Sequence, residues 1–186
     1  GDDADLAPLA PNRELRIGTL CSGSFADCVS VVAFLRAVRT EYPDFRVRYM
    51  FHCEKAEKRR EWIMRVHKHF AADITPHGEV GDVDCMPCMF GDVANLHAGW
   101  APCYTHGRKP GFKKSDIPGV CAVTPVHYLV GATSCKDVSR AKSTKQTETC
   151  LQEGIKTVGG SNETFWGMTK YMAAYRPDVV QFETVS

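Results

Sequence analysis

The chain has 186 residues, a net charge of +1, 44% apolar residues and 24% charged residues. This length suffices for one α/β domain with a full core, and the composition is ordinary for a globular protein. No stretch approaches the apolar length of a membrane span and no secretory signal begins the chain. Without a large basic block, a nucleic-acid partner would have to be held by a local patch or by a part of the protein outside this sequence.

Nine cysteines, an odd number, are scattered along a chain that is too large to need disulfide bonds. They favour reduced thiols and therefore an intracellular compartment, the nucleus or the cytosol. The sequence begins with Gly1 rather than with methionine, so we expect a trimmed chain or a fragment.

Strand-like and helix-like stretches alternate, which predicts an α/β domain with a mostly parallel, doubly wound sheet over residues 15–186. Residues 1–14 are acidic and rich in alanine and proline, which predicts a flexible arm. Residues 71–124 accumulate glycine, proline, cysteine and histidine, and we expect an irregular insertion in which residues 90–93 end a short strand. The other predicted strands cover residues 16–21, 47–52, 128–130 and 177–182, and the predicted helices cover residues 26–38, 55–70 and 165–175.

The predicted helix over residues 55–70 is amphipathic. We expect its basic side, including Arg60, to face solvent. His67 lies near its C-terminal end, where a protonated imidazole is mildly favoured. The apolar side, which we expect to enter the core, carries Trp62, Ile63, Val66 and Phe70.

Two reactive side chains follow predicted strands near the end of the chain. Cys135 lies on the loop after residues 128–130, and Glu183 follows residues 177–182. Because ligands bind at the carboxyl edge of open α/β sheets, this thiol and this carboxylate form a candidate catalytic pair. The alternative is a buried or loop cysteine that takes no part in chemistry.

Three earlier strand ends predict a site for a nucleoside cofactor. The turn Ser22, Gly23, Ser24 and Phe25 opens a helix and can hold a ligand against backbone amides. Glu54 is suited to ribose hydroxyls, and Asp92 is suited to an adenine amino group. Alternatively, Gly23 only forms a turn, Glu54 caps a helix and Asp92 begins a loop.

Taken in order, these segments resemble the DNA (cytosine-5)-methyltransferase family over roughly residues 15–186. Residues 16–25, 49–60 and 90–93 resemble its first three motifs, residues 130–139 its nucleophile motif, and residues 176–185 its segment ending in Glu-Asn-Val.

The sequence departs from the family's pattern at three positions. Ser134 stands where proline is usual, Thr184 where asparagine is usual, and Phe25 where the family has glycine or another small residue. The paired arginines, the target-recognition region and the closing helix have no counterpart in these residues. We therefore expect a sheet of S-adenosylmethionine-methyltransferase type that is incomplete at its C-terminal side, with weak or absent activity for this chain alone.

The resemblance implies an enzyme that transfers a methyl group from S-adenosylmethionine to C5 of cytosine in DNA, and hence a nuclear protein. Cys135 matches the residue that attacks C6, and Glu183 matches the residue that protonates or hydrogen-bonds N3. The cytosine has to flip out of the duplex to reach Cys135. Residues 22–25 match the cofactor turn, Glu54 the ribose acid and Asp92 the adenine contact.

A zinc site is a competing hypothesis for the insertion. Two knuckles, C-x2-C and C-x2-H, can together bind one zinc ion tetrahedrally. Residues 90–93, which the cofactor hypothesis uses, lie between them. The hypotheses left open beside the enzyme are a methyltransferase-like module without turnover and a zinc-stabilised interaction domain with an inert Cys135. The predicted zinc ligands are Cys85, Cys88, Cys103 and His106, with His97 and Cys121 as spare candidates.

Overall fold

The computed structural model describes residues 14–21, 27–74, 86–106, 119–132 and 161–183. None of the helices in these ranges is long and apolar enough to cross a membrane. The strands are β1 (Glu14–Leu20), β2 (Arg46–Cys53), β3 (Cys88–Phe90), β4 (Trp100–Cys103), β5 (Gly119–Ala122), β6 (Tyr128–Ala132) and β7 (Val179–Glu183). The helices are α1 (Asp27–Glu41), α2 (Glu57–Ile74), a 3₁₀ helix (Val93–Ala98) and α3 (Ser161–Tyr175).

The strands form one mixed sheet in the order β5-β4-β3-β2-β1-β6-β7. Strands β1, β2, β3, β6 and β7 are parallel, whereas β4 pairs antiparallel with both β3 and β5. The prediction of an α/β fold with a mostly parallel sheet is therefore confirmed, and the fold is compatible with the Rossmann-like class. In such a sheet the carboxyl ends of the parallel strands share one edge.

The sheet has a hydrophobic core on each face. Leu129 and Val130 are consecutive residues of β6, and consecutive strand residues point to opposite faces. Val130 belongs to the cluster formed with α1 and α2, which includes Val32 and Ile63. Leu129 belongs to the second cluster, which α3 and the 3₁₀ helix cover, and which includes Tyr171. Helices therefore cover both faces of the sheet.

Helix α2 packs Ile63, Val66 and Phe70 of its predicted apolar face into or against the core, but not Trp62. Ile63 and Ile74 are buried, His67 lies between them on the same stripe, and Trp62 is 50% exposed. Positions 63, 67 and 74 recur at helical spacing, while residue 62 lies about 100° away around the helix axis. The placement of Trp62 in the core was therefore wrong, and a histidine takes the buried position.

The segment predicted to be an irregular insertion contains regular structure. Besides the short strand β3, it carries the 3₁₀ helix and the antiparallel pair β4 and β5. These strands have four residues each and contain Pro102, Gly119 and two cysteines, so they lack the apolar alternation by which a strand is recognised. They extend the sheet at the β3 side, away from β7.

Two histidines are buried against the sheet. The Nδ1 atom of His52 lies 2.8 Å from the hydroxyl of Thr19, and the ring centroids of His52 and His67 are 5.5 Å apart. Burial lowers the pKa of His67 to about 4, so the protonated form expected from its position on the helix was wrong. Burial, and secondarily His67, lowers the pKa of His52 well below its usual value. Burial has the opposite effect on Asp27, whose pKa rises to about 6.

We expect the fold to lose stability as the pH falls from about 6.5 towards 4. Each histidine has a folded pKa below its unfolded value, so its contribution is present above about pH 6.5 and is lost on acidification. Asp27 acts in the other direction, because its raised folded pKa favours folding at lower pH. Two histidines against one carboxyl leave a net loss of about 1.4 kcal/mol per pH unit, measurable by urea unfolding at several pH values.

The matched variants for this measurement are His67→Leu and His69→Gln. His69 is exposed on the same helix, so its replacement should leave the pH dependence unchanged. His67→Leu should flatten the dependence between pH 6.5 and 4. Equal slopes in the two variants would contradict the assignment.

Candidate functional site

Five parallel strands end side by side at one edge of the sheet. Strands β1, β2 and β3 end at Leu20, Cys53 and Phe90, and strands β6 and β7 end at Ala132 and Glu183. From β1 the chain first adds strands on one side and then crosses to β6 on the other. The carboxyl edge between β1 and β6 is therefore the topological switch point, where open α/β sheets bind ligands.

Cys21, the first residue after β1, has a left-handed backbone conformation with φ of 56°. Its amide donates a hydrogen bond to the carbonyl oxygen of Cys53, with an N···O distance of 2.7 Å. Strands β1 and β2 are thus joined up to the point where both reach the edge. The predicted cofactor turn, Ser22 to Phe25, follows directly and lies outside the described residues.

Glu54 is buried at the end of β2. Its amide donates to the carbonyl oxygen of Phe90 at 2.9 Å, and its Oε1 accepts a hydrogen bond from the amide of Ala56 at 2.9 Å. The carboxylate therefore orders the entry into α2 through one oxygen. Among the described residues, no donor bonds to the other oxygen, which fits a carboxylate that also receives hydroxyl groups.

Asp92 follows β3 at the same edge. Its Oδ1 accepts a hydrogen bond from the amide of Ala94 at 2.9 Å, and the residue is the N-cap of the 3₁₀ helix. Both acids thus perform the local ordering that the sequence left open as an alternative. This ordering fixes the carboxylates at the edge and leaves each with a second acceptor oxygen.

The two carboxylates lie close to the end of β1. Burial, followed by the charges of Glu54 and Asp92, raises the pKa of Cys21 to about 12. Burial, with contributions from Cys21, Asp92 and Glu54, also raises the pKa of Cys53. Both thiols are therefore neutral, and neither is an activated nucleophile. The edge offers negatively charged acceptors to a ligand that carries hydroxyl and amino donors.

Arg60, in the first turn of α2, contacts the backbone and an aromatic ring at this edge, although the sequence predicted a solvated side chain. We call its contact with Tyr104 the Arg60–Tyr104 brace. Its Nη1 donates to the carbonyl oxygens of Glu54 and Lys55. Its guanidinium carbon lies 4.0 Å from the centroid of the Tyr104 ring. A Cβ atom at Gly91 would come within 2.7 Å of the Tyr104 ring, so this aromatic side chain covers the backbone beside Asp92.

We expect Arg60→Ala to lower the free energy of unfolding by about 2 kcal/mol, because hydrogen bonds from a charged donor and a cation–π contact are lost together. Arg59→Ala is the matched control, since Arg59 is exposed one position earlier and its loss should cost less than about 0.5 kcal/mol. Urea unfolding of both variants measures the difference. Equal stability of the two variants would show that the brace contributes nothing.

The strands that adjoin the predicted catalytic pair in the sequence, β6 and β7, are neighbours in the sheet. Strands β6 and β7 are parallel, and Ala132 is opposite Glu183 in their register. Cys135 comes three residues after Ala132 in the sequence and lies outside the described residues. The structure describes the backbone of Glu183 at the end of β7 but not its side chain. The separation of the thiol from the carboxyl group therefore stays a prediction.

Three predicted zinc ligands come together with one of the spare candidates. The ligand atoms of Cys88, Cys103, His106 and Cys121 all lie within 4.8 Å of one another. Cys85, the remaining predicted ligand, lies outside the described residues, and His97 is exposed on the 3₁₀ helix. We call the carboxyl edge at Glu54 and Asp92 the acidic edge. Cys88 begins β3 and Asp92 follows its end, so the candidate metal ligands and the acidic edge use different residues of this segment.

The brace formed by Arg60 and Tyr104 was missed at the level of sequence. The two residues are far apart in the chain, and no local pattern marks a contact between a cation and an aromatic ring. Cys121 was named only as a spare ligand because it belongs to neither knuckle. The pairing of β5 with β4 is what brings Cys121 close to the other three ligands.

The chain is similar to DNA (cytosine-5-)-methyltransferase DMT5 of Cryptococcus neoformans var. grubii, with 25% identity over 189 aligned residues that cover 99% of this chain. The chain spans 6% of the length of this curated relative. No model of a known protein family matches the chain. The similarity supports a relationship to C5-methyltransferases at the level of the family, in agreement with the order of the motifs.

Proposed function

We propose that this chain transfers a methyl group from S-adenosylmethionine to C5 of cytosine in DNA through a covalent adduct with Cys135. The observation that carries the proposal is the strand order. It brings Glu54 and Asp92 to the same sheet edge as the strands that lead to Cys135 and Glu183. The similarity to a DNA (cytosine-5-)-methyltransferase supports the same reaction.

The acidic edge fits the adenosine part of the cofactor. A ribose presents two vicinal hydroxyl donors and adenine presents an amino donor, and Glu54 and Asp92 are ordered acceptors next to the switch point. We assign Glu54 to the ribose and Asp92 to the adenine, with Ser22, Gly23, Ser24 and Phe25 supplying the backbone of the cofactor turn. When bound, S-adenosylmethionine supplies an electrophilic methyl group at its sulfonium sulfur.

Cys135 activates the cytosine ring. C5 of cytosine is a poor nucleophile because it belongs to an aromatic ring. The thiolate of Cys135 forms a bond to C6, which breaks the aromaticity and moves electron density onto C5. Glu183, in its protonated form, donates a hydrogen bond or a proton to N3 and so relieves the negative charge that develops on the ring.

Release of the product restores the Cys135 thiolate. After C5 is methylated, a base removes the C5 proton, the bond between C6 and the Cys135 sulfur breaks, and the ring regains its aromaticity. The proton at N3 returns to Glu183. The target base has to leave the duplex for this chemistry, since C6 is stacked and inaccessible in B-form DNA. We also propose that the protein acts in the nucleus, because its proposed substrate is DNA and its nucleophile has to stay reduced.

A covalent trap tests the reaction directly. A duplex with 5-fluorocytosine holds the enzyme after methylation, because fluorine cannot leave C5 as a proton does. We expect a complex that survives denaturing electrophoresis and forms with S-adenosylmethionine but not with S-adenosylhomocysteine. The absence of any complex from a folded chain that binds both cofactor and DNA would overturn the enzymatic proposal.

A second candidate is a methyltransferase-like module that binds the cofactor or a partner without turnover. Three sequence departures favour it. Ser134 is less rigid than the usual proline before the nucleophile, Thr184 replaces the asparagine after the glutamate, and Phe25 can crowd the cofactor turn. Cofactor binding without the covalent complex is the result that would select this candidate.

A further inference from the structure

Four metal-ligating side chains meet at the β3–β4–β5 end of the sheet. His106 Nδ1 lies 3.3 Å from the sulfur of Cys88, 3.6 Å from that of Cys103 and 3.7 Å from that of Cys121. Each residue comes from a different place in the fold: the start of β3, the end of β4, the turn after β4, and β5. We call these four residues the Cys₃His cluster.

Hydrogen bonding alone does not explain the Cys₃His cluster. The Nδ1 atom of an imidazole carries either one proton or one lone pair, so it makes one hydrogen bond. Three sulfur atoms lie at nearly equal distances from this single nitrogen. The cysteines are free thiols, so no disulfide accounts for their approach. A metal ion that coordinates all four ligand atoms at once accounts for the geometry.

The distances match tetrahedral coordination. Zinc–sulfur bonds of about 2.3 Å and zinc–nitrogen bonds of about 2.0–2.1 Å, at tetrahedral angles, separate sulfur from nitrogen by about 3.6 Å and sulfur from sulfur by about 3.8 Å. The three observed sulfur–nitrogen distances fall between 3.3 and 3.7 Å, and all four atoms lie within 4.8 Å of one another. The cluster therefore has the dimensions of a zinc site.

We propose that Cys88, Cys103, His106 and Cys121 bind one structural zinc ion. Three thiolates and one imidazole are a donor set typical of closed, structural zinc sites, which have no position left for water or substrate. The amide of His106 points at the sulfur of Cys103, with an N···S distance of 3.5 Å. Such a donor disperses thiolate charge and orients the ligand. This inference does not depend on the proposed methyl transfer.

The strand register explains why these residues converge. Phe90 is paired with Cys103 across β3 and β4, so Cys88 lies two residues along the same face and is a diagonal neighbour of Cys103. Ala101 is paired with Cys121 across β4 and β5, which makes Cys121 the diagonal neighbour of Cys103 on the other side. Three adjacent strands thus present one sulfur each on one face.

The zinc ion would attach the antiparallel strands to the parallel part of the sheet. Strands β3 and β4 share a short register centred on Phe90 and Cys103, whereas the metal would join β3, β4 and β5 directly. Tyr104 lies between two of the ligands in the sequence, and its ring contacts Arg60 at the acidic edge. Binding of the metal would therefore also fix the aromatic brace beside Asp92.

Metal analysis of the purified chain, prepared without metal-affinity chromatography, tests the proposal. We expect about one zinc ion per chain in the wild type and less than about 0.1 in Cys121→Ser. Cys85→Ser is the matched control and should keep the wild-type zinc content. Circular dichroism of each variant shows whether it is folded.

A cobalt titration gives a readout that does not depend on the folding of a variant. Cobalt added to the metal-free wild-type chain should give the strong visible bands of a tetrahedral site and a thiolate-to-cobalt charge-transfer band. Weak octahedral absorption would contradict the proposal, as would a folded wild-type chain with less than about 0.1 zinc. Equal zinc contents in Cys121→Ser and the wild type would overturn the ligand assignment.

Discussion

Changing Cys135 to serine is expected to abolish the covalent complex with 5-fluorocytosine DNA, together with the cytosine methylation, which we expect to be weak for this chain alone. A serine hydroxyl is not ionised at neutral pH, and it is a far weaker nucleophile than a thiolate towards C6. Binding of S-adenosylmethionine should be unchanged, because the predicted cofactor contacts come from β1, β2 and β3. Electrophoresis of the trapped complex and transfer of a labelled methyl group measure the two effects.

Cys150→Ser is the matched control for this experiment. It removes a thiol from the same part of the sequence, after β6 and before α3, and we give that thiol no chemical role. The control should form the covalent complex as the wild type does. Persistence of the complex in Cys135→Ser, or its loss in Cys150→Ser, would assign the nucleophile to another residue.

Glu54→Gln is expected to weaken the binding of S-adenosylmethionine by about 10- to 100-fold, which corresponds to the loss of a hydrogen bond to a charged acceptor. Glutamine keeps an oxygen that can accept the hydrogen bond from the Ala56 amide, so the entry into α2 is preserved. What is lost is the negative charge and one of the two acceptor oxygens. Equilibrium dialysis with labelled cofactor measures the change.

The control for Glu54→Gln is Glu57→Gln, which makes the same chemical change on an exposed residue in the first turn of α2. It should leave cofactor affinity within about twofold of the wild type, since a surface carboxylate makes no ligand contact. Equal affinities in the two variants would remove Glu54 from the cofactor site, even if the chain proved to bind S-adenosylmethionine.

The parallel strands and the three α-helices could be predicted from the sequence because their apolar residues recur with clear periods. The buried run that begins at Tyr128 and the helix that ends at Tyr175 are examples, and the structure extends both by a few residues. Periodicity placed Ile63, Val66 and Phe70 of α2 on the core side, but it did not predict the burial of His67, which depends on its neighbours Tyr49 and His52. Nor does it reveal four-residue strands such as β4 and β5, which depend on pairing with distant segments.

In the candidate site too, some features follow from local sequence patterns and others depend on distant segments. Glu54 and Asp92 could be placed at the edge of the sheet because each follows a strand that a local pattern predicts. That each also accepts a hydrogen bond from a backbone amide at the start of a helix, and keeps a second oxygen for a ligand, is evident only in the folded structure. The metal cluster depends on cross-strand neighbours. The sequence therefore favoured Cys85, which forms a C-x2-C knuckle with Cys88, over the more distant Cys121.

The carboxyl edge beside Cys21, Glu54 and Asp92 is the part of the molecule on which the proposed function depends, as the site of an adenosine cofactor. Equilibrium dialysis of the folded chain with labelled S-adenosylmethionine tests this most directly. We predict saturable binding of one molecule per chain, displaced by S-adenosylhomocysteine and weakened in Glu54→Gln. No saturable binding up to about 1 mM, the upper end of the range usual for enzyme substrates, would contradict it.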